Sequence, residues 1–123
     1  MLKINTDGAF SENPRRGGWG FVIRDSARVV AGSGAGKMAF PMDAVHIEPE
    51  ACIQGLTTAM NWGMTRVVVE TDSKVLVDAL NKEEYDRSHI DVIVRDAQML
   101  AGLNFSNVYL DSVGETVIKW RML

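Results

Sequence analysis

Cysteine is nearly absent: Cys52 stands alone in a chain of 123 residues. A lone thiol closes no internal disulfide and supplies no zinc site, and among apolar neighbours it reads as a reduced core residue. Histidine is scarce as well. His46 and His89 are the only 2, and neither is paired with a serine or cysteine nucleophile, so triad-type catalysis is not indicated. No apolar run approaches the roughly 20 residues needed to cross a bilayer. The N-terminus has no basic stretch followed by a long apolar segment, which speaks against a secretory signal. These absences imply a protein of a reducing, intracellular setting with no membrane partner. Met1-Leu2-Lys3 runs almost at once into an alternating segment, so a monomeric minimal domain or a fragment of a longer polypeptide is expected.

An excess of positive charge is also missing. The 13 Lys and Arg against 16 Asp and Glu leave a formal net charge of -3, and the pI is about 5.3. That excludes a general nucleic-acid-coating protein, whose affinity comes from phosphate neutralisation. It leaves room for an enzyme in which metal ions offset the charge locally. With 46% hydrophobic residues and a mean hydropathy of -0.02, the chain is long enough for one domain with a real core but hardly two.

Periodicity then orders the chain. Leu2 to Asp7 and Trp19 to Arg24 alternate as strands, Asp25-Ser26-Ala27-Arg28 is a polar tight connection, and Val29 to Lys37 is a small-residue strand. From Ile47 the period becomes helical through Ala51, Cys52, Gly55, Leu56, Ala59, Met60 and Trp62, with Gly63 at the stop and Pro49 placed in the first turn. Arg66 to Thr71 is a β-branched run suited to a buried strand. Ser73 caps a helix carrying Val75 to Leu80, Ile90 to Leu103 is another helix, and Asn104 to Leu110 closes as a strand. The order βββαβααβ predicts an α/β domain with a mixed five-stranded sheet and helices packed on it.

Two apolar runs stop at an aspartate: Lys3-Ile4-Asn5-Thr6-Asp7 and Val67-Val68-Val69-Glu70-Thr71-Asp72. Between them Glu48 opens the first helix. Hard oxygen ligands projecting from separate elements suit Mg²⁺, with Mn²⁺ as a substitute, and such ions support phosphodiester chemistry. Ordinary turn and first-turn acids have the same appearance, so both readings stand on the residues alone.

Several motifs, in order, resemble type 1 ribonuclease H, especially its plant-type, reverse-transcriptase-like domains. Asp7-Gly8-Ala9 is similar to the family's first metal motif. Asn13-Pro14 with Gly17-Gly18-Trp19-Gly20 is similar to its glycine-rich turn, and Trp62-Gly63 followed by Val67 to Ser73 to the segment bearing its third acid. The resemblance covers Lys3 to about Ser106. It implies a three-layer ribonuclease H-like fold and endonucleolytic hydrolysis of RNA in RNA–DNA hybrids, with Asp7, Glu48 and Asp72 as catalytic metal ligands. Counting back from Gly55-Leu56 selects Glu48 over Glu50, which lies about 200° around the helix from it. Asn13, Gly17, Gly18 and Lys74 are then expected along the nucleic acid, with Arg15 and Arg16 adding local charge. Trp19 and Trp62 are expected to pack in the core rather than stack on bases.

The resemblance fades after Ser106. The family ends in a helix that supplies a fourth metal position, whereas Asp111 to Leu123 matches nothing of it. The expected division is therefore a ribonuclease H-like domain at 1–110 and a divergent tail at 111–123, with the final family helix missing. Codons allowed for Glu115 to Leu123, read in another frame, can spell NCNKVAHA, which resembles the missing helix; a change of frame or splicing would produce such an end. The alternative function is a binding or interaction domain that keeps the fold without turnover, exposing an apolar sheet face where the helix is gone.

Overall fold

A computed structural model describes residues 2–12, 15–38, 44–73, 77, 89–111 and 117–119. Its strands are β1 (Leu2–Glu12), β2 (Arg15–Arg24), β3 (Val30–Met38), β4 (Arg66–Glu70), β5 (Asn107–Asp111) and β6 (Val117–Lys119). Two helices are described, α1 (Ala44–Asn61) and α2 (His89–Asn104). The strands form one sheet in the order β3-β2-β1-β4-β5-β6. The first three make an antiparallel meander, β4 and β5 join parallel to β1, and β6 turns back antiparallel to β5. The five expected strands are present in the expected order. The short sixth strand was not read from the sequence because three residues are too few to show a period.

Several boundaries moved. The glycine-rich stretch expected to be a turn begins strand β2 at Arg15, and β1 runs on to Glu12, so Phe10 pairs with Gly17 and Ala9 with Gly18. Asp7 therefore lies inside β1 rather than at its end. Helix α1 starts at Ala44, which puts Pro49 beyond the first turn. Lacking an N–H, Pro49 gives Val45 no intrahelical donor. Gly63 ends the turn after the helix as expected, at φ 78°. The helix expected after Ser73 lies outside the described residues except for Val77, whose amide donates to the Ser73 carbonyl at 3.1 Å.

Alternation along the strands divides the sheet into two faces. Ile4, Phe21, Ile23, Val67, Val69, Val108 and Leu110 point to one of them and are buried against Cys52, Leu56 and Ala59 of α1 and Ala97 and Ala101 of α2. Burial pushes the Cys52 thiol up to about 12, with the Glu48 charge adding to it, as befits an inert core thiol. The glycines of β3 follow the same period of two. A side chain at Gly32 would strike Trp62, at Gly34 Phe21, and at Gly36 Trp19. Three aromatic rings thus lie over the bare backbone of β3, and Trp19 stacks on Phe21 at 6.2 Å. Trp19 packs against the core as expected. Trp62 corrects the reading: it falls just past α1, is 43% exposed, and covers Gly32 from the edge.

No helix covers the other face among the described residues. It is not apolar, contrary to expectation. Lys3, Asn5, Arg24 and Glu70 interleave there with Val22 and Val68, and exposed Val30, the register partner of Arg24, lies at the β3 edge. Among the described residues the polar side chains of this face are joined to one another, as suits a surface that is not purely apolar.

Candidate metal centre

Three elements converge on one spot. Asp7 comes from β1, Glu48 from α1, and Asp72 from just beyond β4; each offers a carboxylate oxygen within 4.8 Å of the other two. Close approach of α1 to β1 makes this possible. A Cβ on Gly8 would stand 2.7 Å from Ile47 Cγ2 and 3.2 Å from Glu48 Oε1, so only glycine lets the helix bring Glu48 beside Asp7. The Gly8 amide donates to Asp7 Oδ1 at 2.9 Å. Thr71, buried between core and site, is held by its amide donating to the Asp111 carbonyl at 3.1 Å. Its Oγ1 accepts from the Ser73 amide at 3.1 Å, so the chain on both sides of Asp72 is fixed.

The electrostatics follow from this crowding. Asp7 and Asp72 are exposed, whereas Glu48 is half-buried, and its Oε2 is fully buried with no hydrogen-bond partner. Burial first, then the charges of Asp72 and Asp7, together raise the Glu48 pKa to about 7, with the Gly8 backbone amide working against them. Three carboxylates facing one another, one with an orphaned buried oxygen, form a site short of positive charge.

Glu50, the competing acid, is turned away. Its Oε1 accepts from Gln54 Nε2 at 2.9 Å, one turn along α1. Asp111, an acid at the end of β5, is buried and faces Lys3 at 3.8 Å. Gly17 and Gly18 sit in β2 with ladders on both sides, against Phe10 and Ala9 of β1 and Met38 and Lys37 of β3. What they offer a ligand is a stretch bare of side chains rather than spare amides. Asn13, Lys74 and Glu115 lie outside the described residues, as do the side chains of Arg15, His46 and His89; Arg16 is exposed at the start of β2.

A second polar cluster, not anticipated, lies directly upstream. Asn5 Nδ2 donates to Glu70 Oε1 at 2.6 Å, Arg24 Nη1 donates to Asn5 Oδ1 at 3.0 Å, and Lys3 Nζ pairs with Glu70 Oε2 at 3.0 Å. Burial disfavours ionised Glu70, yet the bonds from Lys3 and Asn5 outweigh it and hold the carboxyl below its ordinary range. The signal was present as polar residues at every second position, Lys3-Asn5-Asp7 alternating with Leu2, Ile4 and Thr6, and Glu70-Asp72 after the run Val67-Val68-Val69.

The sequence model of a family described as reverse transcriptase-like matches residues 5–113. Curated protein sequences give no match. Among solved structures the chain is similar to RNase H1 from the halophilic archaeon Halobacterium salinarum NRC-1, with a TM-score of 0.79 at 18% identity over 89% of this chain and 82% of that one. The N-terminal RNase H domain of rv2228c from Mycobacterium tuberculosis matches with a TM-score of 0.76 at 25% identity, covering 87% of this chain and 77% of the other. LC11-RNase H1, solved in complex with an RNA/DNA hybrid, gives 0.79 at 19% identity over 89% and 83%; it was isolated from compost by a metagenomic approach. The fold is ribonuclease H-like.

Proposed function

The chain belongs to the reverse transcriptase-like family of ribonuclease H-type domains, and from that premise we propose that it is a metal-dependent endonuclease hydrolysing the RNA strand of RNA–DNA hybrids. The observation that carries this reading is the meeting of Asp7, Glu48 and Asp72 within 4.8 Å in such a fold. A binding or interaction domain without a metal has no use for three converging carboxylates that repel one another.

The donor set fits a hard divalent cation. All the ligands are carboxylate oxygens, and the buried Glu48 Oε2 lacks a partner, so a cation would satisfy both the charge and the orphaned atom. Asp7, Glu48 and Asp72 would hold Mg²⁺, or Mn²⁺ in its place. A bound ion of this kind supplies Lewis-acid polarisation of the phosphoryl group and an acidified water. The chain itself orients the ligands. Gly8 admits α1 and fixes one oxygen of Asp7, Thr71 fixes the backbone at Asp72, and half-burial keeps bulk water from Glu48. No protein nucleophile is required.

On the substrate side, Gly17 and Gly18 would present a side-chain-free strand to the nucleic acid, and the family resemblance adds Asn13 and Lys74 as contacts to the same substrate. Short polar groups and bare backbone suit reading of 2′-hydroxyls and minor-groove shape rather than base sequence. The unit that would act is the whole sheet with its helices: Asp111 ends β5, and β6, from the 111–123 stretch expected as a tail, pairs with β5.

The test is incubation of folded protein with a hybrid labelled on its RNA strand, in Mg²⁺ or Mn²⁺. Shortened RNA is expected, and Asp7→Asn should abolish it. Intact RNA from protein that still binds the hybrid would overturn the enzymatic reading in favour of a binding module without turnover.

A further inference from the structure

The strands that carry Asp7 and Asp72 part company just before those residues. The parallel ladder between β1 and β4 runs Leu2 with Val67, Lys3 with Val68, Ile4 with Val69, and stops at Asn5 with Glu70. From there β1 continues beside β2, where Asp7 pairs with Gly20. The chain after β4 instead turns to β5, with the Thr71 amide on the Asp111 carbonyl. Thr6, the next residue of β1, has a buried hydroxyl with no hydrogen-bond partner among the described residues. Backbone pairing therefore does not set the distance between the two aspartates.

The last tie between the strands is made by side chains. Asn5 and Glu70 are register partners, joined at 2.6 Å, and each lies two residues before a site aspartate. Two residues is the strand repeat, so a side chain at Asn5 shares its face with the one at Asp7. Asn5 and Asp7 indeed line one shallow cavity with Gly20, Val22 and Arg24. The tie is itself braced. Arg24 holds the carbonyl end of the Asn5 amide, and Lys3 holds the second oxygen of Glu70 while reaching toward Asp111. An amide is the right group at position 5, because it must accept from Arg24 and donate to Glu70 at once.

We infer that Asn5 and Glu70 are positioning residues for the metal centre, setting the spacing of Asp7 and Asp72 across the gap where the β1–β4 ladder has ended. This rests on the metal-site reading above. Neither residue belongs to the set of three acids, and the neutral Asn5 contributes no charge to a cation. Its effect on affinity is therefore geometric, as expected of groups that orient ligands from behind.

The experiment is Mn²⁺ binding, followed by the paramagnetic resonance signal of the free ion, beside thermal unfolding of the metal-free protein. Asn5→Ala should raise the Mn²⁺ dissociation constant about tenfold, the lower end for removal of a ligand-orienting partner. Glu70→Gln keeps an oxygen for Asn5 and should stay within about threefold of the native protein on the same scale. Val68→Ala, on the same face but without a polar bond, should lower the unfolding temperature while leaving the affinity within about twofold. Should Asn5→Ala fail to fold, Asn5→Ser, too short to reach Glu70, is read in its place. Native affinity in the Asn5 variant would overturn the positioning role. Absence of Mn²⁺ binding by the native protein, or binding indifferent to Asp7→Asn, would overturn the metal-site reading and this inference with it.

Discussion

The two faces of the sheet are built from the same strands and do different work. Toward α1 and α2, Ile4, Val67, Val69 and Leu110 are completely buried, and their contribution is non-directional and scales with apolar area. Away from the helices, Lys3, Asn5, Arg24 and Glu70 are joined by bonds of defined direction. Such bonds add little net stability each, but they fix where atoms lie. The comparison teaches that stability and site geometry are carried by alternate residues of one strand: Ile4 holds β1 in the core, and its neighbour Asn5 ties it to β4 beside the acids.

Damage to the helix side should therefore show as lost stability. Leu56→Ala, at a fully buried position, is expected to cost about 2–5 kcal/mol in urea unfolding, with Mg²⁺ affinity of the remaining folded protein unchanged. A smaller effect of the same kind is expected at Gly34, where an added Cβ would lie 2.6 Å from the Phe21 ring. Gly34→Val should cost about 1–3 kcal/mol by overpacking. Ala35→Val, one residue on and exposed, should stay within about 0.5 kcal/mol. Equal losses from the two in thermal unfolding would erase the distinction between faces.

The acidic site sharpens the comparison through pH. Folding raises Glu48 from 4.5 to about 7 through burial and the charges of Asp72 and Asp7. Between those values the folded state keeps a proton that the unfolded chain has released. Stability of the metal-free protein should thus be highest below about pH 4.5 for this group and fall as pH rises toward 7. Asp72→Asn should flatten that fall, as measured by urea unfolding across the range, and saturating Mg²⁺ should reverse it. The smallest effect is expected at Lys3, whose side chain is 44% exposed. Lys3→Met should change stability by only about 0–1 kcal/mol, with the difference shrinking in high salt.

Much of this was readable from the residues, for identifiable reasons. The β-branched run Arg66 to Glu70 and the helical period from Ala51 to Met60 announce their elements because each buries one face throughout. The start of β2 was not readable: Gly17-Gly18 has the composition of a turn, and only pairing with β1 and β3 makes it a strand, a tertiary effect that overrides propensity. Asp7 and Asp72 stood out as acids ending apolar runs and Glu48 as an acid opening a helix; helix geometry kept Glu48 and Glu50 from facing one ion, and the family resemblance chose Glu48. The partnership of Asn5 with Glu70 was hidden, since the two are 65 residues apart and meet only through a parallel register that no local pattern encodes.

The most direct test of the metal centre is calorimetric titration of Mg²⁺ into the metal-free protein below pH 7, in buffers of different ionisation enthalpy. Because Glu48 must lose its proton to act as a ligand, binding should release protons, weaken as pH falls, and vanish in Asp7→Asn. Absence of binding, or binding without proton release that survives Asp7→Asn, would contradict the assignment of Asp7, Glu48 and Asp72 as one divalent-metal centre.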